Sequence, residues 1–455
     1  MTRTFLTLAG GTLIVAATAG QTPQPPQTPA PASQQPSEVM TTITSEAGTP
    51  PRFAVPDFIA LSNDAETVEA AKKIGQVLYD DLNFEHEFAL IPRDTYATIP
   101  AATSVATVPF DRWRELNADG LVVGTVQKVA AGVQVEVRLF NVRTRQSAFA
   151  REYSGSIANP RLYAHTISDE LHQQQRALRG VARTKLTFNS DRSGERLGNT
   201  VESRSVKEVY VSDYDGENQR QVTTNRSLNI TSVWSPDGRT LAYTSYRQGP
   251  PNIFLANIYE GTGGVWMKSE GQNWTPVFSP DGTRIAFSST RDGNAEIYVA
   301  NRDGSNLRRL TNHSAADIAP TWAPNGTQIA FTSDRTGTPQ IYVMAADGLG
   351  LQKVTSETYA DRPTWSPAPY NEIAFASRTG PGNDIKIKDL ATGQVRQMTF
   401  GEGTNESPAF APNGRHLAFM STRSGKSQIF TITRDGRDLR QLTRLGNNYQ
   451  PDWSK

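Results

Sequence analysis

From Lys185 to the last residue, Lys455, apolar and polar residues alternate in runs of five or six, broken by Pro, Asn, Asp and Gly. This is the pattern of half-buried strands joined by tight turns. The stretch "PTWAPNGTQIAFTSDRTGTPQIYVMAADG", residues 320–348, is one such unit, and near copies of it recur. Aligned on the aromatic before each turn, the copies give Trp234, Phe278, Trp322, Trp365, Phe410 and Trp453, at intervals of 44, 44, 43, 45 and 43 residues. A period of this length is that of WD40-like propeller repeats. Each unit predicts four strands: one ending at the aromatic, then the counterparts of "QIAFTSD", "QIYVMAAD" and "LQKVTSE". The "SPDG" and "APNG" turns put Pro and Gly where a type I turn favours them.

The sixth unit is split. "KLTFNSDRSG" matches the second strand of a unit and "PDWSK" the first, so a closed ring sets Trp453 beside Leu186 and leaves no free sheet edge. An open β-solenoid explains the period but not the split unit. The expectation is a six-bladed β-propeller over residues 182–455, closed by pairing of its N- and C-terminal strands.

Ahead of the repeats the pattern is mixed. "RFAVPDFIAL" reads as a strand, and Asn63 with Glu66 as a capping box opening a helix. In that helix Val68, Ala71, Ile74, Val77, Leu78 and Leu82 form one apolar face. "FALIPRD" reads as a strand, "FDRWRELN" as a short helix, and "GLVVGTVQKV", "VQVEVRLFNV" and "QSAFAREYSGS" as three strands, with a closing helix from Asn159 to Ala177. Residues 52–181 are thus a small α/β domain, helices packed on a sheet. The fold class is multidomain, α/β followed by all-β.

At the N-terminus, Arg3, the apolar run Phe5 to Ala17 and the Ala17-Thr18-Ala19 exit form a cleavable secretory signal over residues 1–19. Residues 20–51, rich in Pro, Gln, Thr and Ser, cannot bury enough surface to offset ordering and are expected to be a flexible linker. No later segment reaches the length of a membrane span, so the mature chain is expected to be exported without one.

Composition narrows the functional classes. Lys and Arg total 46 against 45 for Asp and Glu, a formal charge of +1, which argues against nucleic acid as a partner. The absence of cysteine excludes disulfides, thiolate metal sites and a cysteine nucleophile. Nucleophile-elbow, zinc-protease, P-loop and dinucleotide motifs are absent. His165 and His172 lie about 10 Å apart along one helix, too far to share a metal. Asp213-Tyr214-Asp215-Gly216 is explained by a turn between the third and fourth strands. No catalytic, cofactor-binding or metal-binding residue is therefore expected.

Candidate contact residues fall on one face, where loops between the second and third strands meet the connections to the next blade. The loops carry Arg192, Arg247, Arg291, Arg335, Arg378 and Arg423, one in every blade. An Arg repeated in every blade fits a blade-building role, pairing with its neighbour to fix the ring. The connections carry Asn229, Asn273, Asp317, Asp361, Glu406 and Asn448; these vary more and are the better candidates for partner contact.

The chain resembles the TolB family, the soluble periplasmic components of the Tol-Pal envelope system. The resemblance rests on "FDRWRELNADGLVVGTV" and "VEVRLFNV" in the first domain, and on "WSPDG", "FSPDGTRIAFSSTRDG" and "TSDRTGTPQIYVM" in the propeller. It covers the leader, the α/β domain and all six blades. Two features depart from the family: the long Pro-rich segment, and an extended loop between the second and third strands in "VARTKLTFNSDRSGERLGNTVESRSVKEVYV". The resemblance implies that the loop face binds the peptidoglycan-associated lipoprotein Pal, with Gln272, Asn273, Thr275 and Ile318 at the family's contact positions. Trp274, where the family often has a small residue, is either an interface anchor or a cover for the blade edge.

The resemblance also implies inner-membrane Tol partners such as TolA, a monomeric state, and a role in envelope integrity, division and protein import. With these readings the partner-contact set is Gln272, Asn273, Trp274, Thr275, Asp317, Ile318, Asp361 and Glu406. Two alternatives remain open. One is a secreted propeller binding another protein, peptide or glycan; the other is a filter domain like those of prolyl oligopeptidases, without the catalytic domain such enzymes need.

Overall fold

The computed structural model describes residues 42–44, 49–196, 205–267 and 271–455. The signal-peptide segment, most of the Pro-rich segment and residues 197–204 of the extended loop lie outside the described residues. Among the described residues, strands form one six-stranded sheet and six four-stranded sheets.

The first sheet belongs to the α/β domain. In chain order its elements are β1 (Arg52–Ala54), β2 (Ile59–Ala60), α1 (Ala65–Glu85), β3 (Ala89–Leu90), α2 (Phe110–Glu115), β4 (Gly120–Val129), β5 (Gly132–Asn141), β6 (Ser147–Gly155) and α3 (Pro160–Arg176). The sheet order is β3-β1-β4-β5-β6, with β2 also on β4. The single strand expected at "RFAVPDFIAL" is two short pieces parallel to β4, interrupted around Pro56, which has no N–H to give to a ladder. The cap of α1 is Asp64 rather than Asn63: its Oδ1 accepts the Thr67 N–H at 3.0 Å.

Alternation along β4 splits the core. Val122 and Val126 meet Ile74, Leu78 and Leu82 of α1 and Ile167 and Leu171 of α3, while Leu121 and Val123 meet Trp113 on the other face. Ile43, within the stretch expected to be a linker, is 3% exposed in this core. Its N–H donates to Gln175 Oε1 at 2.9 Å.

The remaining six sheets are blades I to V in chain order, with inner strands Asn229–Trp234, Asn273–Phe278, Asp317–Trp322, Ala360–Trp365 and Asn405–Phe410, and blade VI, with inner strand Asn448–Trp453. Blade VI takes its other strands from Lys185–Ser190, Glu208–Asp213 and Arg220–Gln221. Trp453 lies opposite Leu186, and its indole N–H donates to Thr184 Oγ1 at 2.7 Å.

Blades stack through repeated buried aromatics of their second strands, Phe188, Tyr243, Phe287, Phe331, Phe375 and Phe419. In each inner strand the register shifts at the third residue. That residue is left-handed every time: Thr231, Thr275, Ala319, Arg362, Ser407 and Gln450, at φ 51 to 54°. The bulge turns each third-residue N–H out of its own ladder. Those of Thr275, Ala319 and Arg362 donate to Thr244, Ser288 and Thr332 hydroxyls of the preceding blade, at 3.2 Å each.

Candidate functional site

The loop face carries two rings of different character, set by the first and second residues of each inner strand. The first residue is Asn229, Asn273, Asp317, Ala360, Asn405 or Asn448, and each is buried. These side chains hold the arginines. Arg192 donates to Asn448 Oδ1 at 3.1 Å, Arg291 to Asn273 at 3.0 Å and Arg423 to Asn405 at 3.0 Å. Arg335 reaches both Asp317 oxygens, at 3.0 and 2.8 Å. Burial pushes the Asp317 carboxyl up from its ordinary range, opposed by hydrogen bonds from Ser333 and Arg335.

Each of these arginines therefore pairs within its own blade, not with its neighbour as expected, and it is the Asn that crosses the seam. Asn229 donates to Glu208 of the preceding blade at 3.0 Å, Asn273 to Asn252 at 3.0 Å, Asn405 to Asp384 at 3.1 Å and Asn448 to Gln428 at 2.9 Å. In five of the blades a hydroxyl just after the fourth strand donates to the same third-strand residue: Thr223 to Glu208, Thr311 to Glu296 at 2.5 Å, Thr355 to Gln340 at 2.8 Å, Thr399 to Asp384 at 2.7 Å and Thr443 to Gln428 at 2.7 Å. Sequence reasoning missed this network, although the Thr recurs at the same place in "RQVTT", "RRLTN", "QKVTS", "RQMTF" and "RQLTR".

Two arginines differ. Arg378 faces Ala360, which has no acceptor, and lies over Tyr359 with its guanidinium carbon 5.3 Å from the ring centre. Arg247 is exposed and lies 3.9 Å over Phe254.

The second ring is half-exposed: Ile230, Trp274, Ile318, Asp361, Glu406 and Tyr449. The expected contact residues are thus divided. Asn273 and Asp317 are buried in the first ring; Trp274, Ile318, Asp361 and Glu406 stand in the second; Gln272 is exposed just before them; Thr275 is a bulge residue whose hydroxyl lies 2.7 Å from Ser288 Oγ. Asp361 fell among the connection residues because Ala360 interrupts the polar first ring there, whereas Glu406 did so beside an intact first-ring Asn405.

The opposite face meets the α/β domain. Tyr214, in the Asp213-Tyr214-Asp215-Gly216 turn, is buried and donates to Asp81 Oδ1 at 2.8 Å. Asp81 Oδ2 lies 2.8 Å from His165 Nδ1, and His165 Nε2 lies 3.8 Å from Asp213 Oδ2. Burial alone lowers the His165 pKa, but the Asp81 charge and hydrogen bonds to Asp213 and Asp81 raise it to about 9. Arg161 bridges to Asp215 at 2.5 Å, and Lys185 to Asp213 at 2.8 Å.

A second clamp is Glu85 on Arg415, Asn413 and the Val181 N–H. Burial raises the Glu85 carboxyl to about 7 against the opposing pull of Arg415. His416 stacks on Phe84 at 4.3 Å and contacts its carbonyl at 3.0 Å. These contacts use turns between first and second or third and fourth strands, so among the described residues the α/β domain leaves the loop face uncovered. Among the described residues no His, Asp and Glu group is arranged to hold a metal, and no helix is long and apolar enough to cross a membrane.

Comparison with known proteins places both parts of the chain. Residues 176–455 match the TolB beta propeller domain and residues 39–148 the TolB amino-terminal domain. A Tol-Pal system protein TolB of Methylobacillus flagellatus is 44% identical over 382 residues, 84% of this chain and 85% of the relative. Another, from Desulfosudis oleivorans, is 34% identical over 223 residues, 49% of this chain. The chain spans about half the length of the first curated relatives it matches, 48% in that case. The crystal structure of TolB from Acinetobacter baumannii superposes with a TM-score of 0.74 at 24% identity, covering 89% of this chain and 97% of that one, and shares its fold.

Proposed function

The chain belongs to the TolB family, and from that premise we propose that it is a non-catalytic periplasmic scaffold of the Tol-Pal envelope system. Its loop face binds the peptidoglycan-associated lipoprotein Pal, and its α/β domain serves inner-membrane Tol partners such as TolA. The signal over residues 1–19 directs export, and the work is reversible binding that supports envelope integrity and constriction at division.

One observation carries this reading. The first ring, nearly the same in every blade, is buried and used up in holding the propeller together, whereas the second varies from blade to blade and stands half-exposed on the face that the α/β domain leaves free. A surface whose residues differ where the fold would tolerate sameness is one shaped by a partner. The α/β domain is locked to the other face by buried polar contacts, so the two partners approach from opposite sides.

The test is a titration of the full-length chain with the periplasmic domain of the same bacterium's peptidoglycan-associated lipoprotein. Ile318→Asp is expected to weaken binding by about 1 to 3 kcal/mol, the scale of a buried interface contact. His86→Ala, on the opposite face against Asp438, is expected to leave binding unchanged. Equal affinity for all three proteins would remove the loop face as the site, and no binding by the wild type would remove the lipoprotein as the partner.

A further inference from the structure

The second ring is divided. Blades I, II and III present Ile230, Trp274 and Ile318; blades IV, V and VI present Asp361, Glu406 and Tyr449. In a closed ring of six, blades three apart stand across the axis, so every apolar member faces a polar one: Ile230 faces Asp361, Trp274 faces Glu406 and Ile318 faces Tyr449. A structural need common to all blades would not produce this split, because the same backbone position is filled by Ile, Trp, Asp, Glu and Tyr without any change of register.

The charges on the polar side are unequally satisfied. Asp361 accepts the Thr332 hydroxyl at 2.9 Å, the Arg362 N–H at 2.7 Å and the Tyr359 hydroxyl at 3.0 Å, with the Arg362 guanidinium at 3.9 Å. Glu406 takes one amide, Asn383 Nδ2 at 2.8 Å, and among the described residues no cation lies within ion-pairing distance of it. Of the cations on this side of the rim, Arg423 is held on Asn405 and Glu402, Lys386 on Glu357 and Lys207 over the Tyr449 ring at 3.5 Å, while Arg378, cross-strand from Asn383, lies over Tyr359 and makes no ion pair with Glu406. A half-buried carboxylate without a counter-charge is electrostatically complementary to a cation that arrives with the partner. A half-exposed Trp flanked by two Ile is complementary to an apolar side chain.

We propose that this rim binds a partner segment carrying an apolar side chain, seated against Trp274 between Ile230 and Ile318, and a Lys or Arg side chain directed across the opening to Glu406. This rests on the reading of the loop face as the lipoprotein site and specifies the chemistry that the lipoprotein must present there.

Two arms test it and separate its failure from that of the partner assignment. In the first, peptides are selected from a displayed random library on the folded full-length chain, with the double variant Trp274→Ala, Glu406→Gln as counter-target. Enrichment of peptides pairing Lys or Arg with Leu, Phe or Trp, and their loss on the counter-target, is expected. Acidic or wholly polar peptides, no selected peptide, or retention on the variant would overturn the proposal. In the second, the lipoprotein's periplasmic domain is titrated at low and high salt. Glu406→Gln is expected to weaken binding about tenfold and to flatten its salt dependence, whereas Trp274→Ala weakens it about as much and keeps the salt slope. Wild-type binding that neither variant changes beyond twofold would overturn the proposal even if the lipoprotein is the partner. No lipoprotein binding beside a positive first arm would remove the partner and keep the rim. Unchanged melting of both variants separates binding from folding.

Discussion

Trp453, at the end of the chain's last strand, lies directly opposite Leu186 in the first strand of the propeller, and its indole N–H is held by Thr184. Leu186 and Trp453 share a buried cluster with Phe84, Val181 and Tyr214, so the seam of the ring and the joint with the α/β domain are one piece of core. Trp453→Ala is expected to cost about 3 to 5 kcal/mol, the usual penalty for a buried Trp. Removing residues 452–455 goes further, because it also takes away the Ser454 contacts to Lys185 and leaves Leu186 at an open sheet edge. Denaturant unfolding of both variants checks this, and a deletion that melts with the wild type would refute closure by these strands.

The ring arginines offer a comparison within one molecule. Arg335→Ala strands the buried Asp317 carboxylate and is expected to cost about 3 kcal/mol or more. Arg378→Ala, where the facing residue is Ala360, is expected to cost less than about 1 kcal/mol. Equal losses in chemical denaturation would show that the carboxylate does not distinguish the blades.

The six left-handed bulge residues can be probed at Ala319, which contributes its N–H but no side-chain hydrogen bond. Ala319→Gly relieves the Cβ clash at φ 53° and is expected to leave stability equal or raise it by up to about 1 kcal/mol, the gain being reduced by the freer unfolded chain. Ala319→Val is expected to lose more than 1 kcal/mol, since a β-branched residue is strained there. Urea midpoints of the pair give the sign.

The buried His165 makes the domain joint sensitive to pH. Its pKa rises from 6.5 to about 9 on folding, so protonation is tighter in the native state. The resulting stabilisation is complete below pH 6.5 and disappears as pH climbs through about 9. Over that window the wild type is expected to lose about 1 to 3 kcal/mol more than His165→Gln. Parallel pH profiles of unfolding would contradict the charged, clamped histidine.

Most of the architecture was legible because the signal was repeated: six aromatics on a fixed period, alternation between them, and a unit split across the ends. The candidate site was only partly legible. At blades IV and V the first-ring and second-ring residues are adjacent in sequence, so Asp361 and Glu406 were grouped with Asn273 although one backbone position separates their roles. Burial, not residue type, tells them apart, and a single strand position is invisible where Ala360 breaks the pattern. The domain joint gave no periodic signal, since Asp81 meets Tyr214 and Glu85 meets Arg415 only through the fold. Tyr214 was the available clue: an aromatic in a turn whose counterparts hold Arg302, Ala346 and Arg434.

The central claim is that the loop face, and not the face covered by the α/β domain, receives the lipoprotein. Hydrogen–deuterium exchange of the full-length chain with and without that partner's periplasmic domain tests it directly. Slower exchange is predicted at residues 271–276, 315–320 and 404–408, with the Asp213–Gly216 turn unchanged. Protection confined to that turn or to the α/β domain, with the loop face exchanging as in the free protein, would contradict the account.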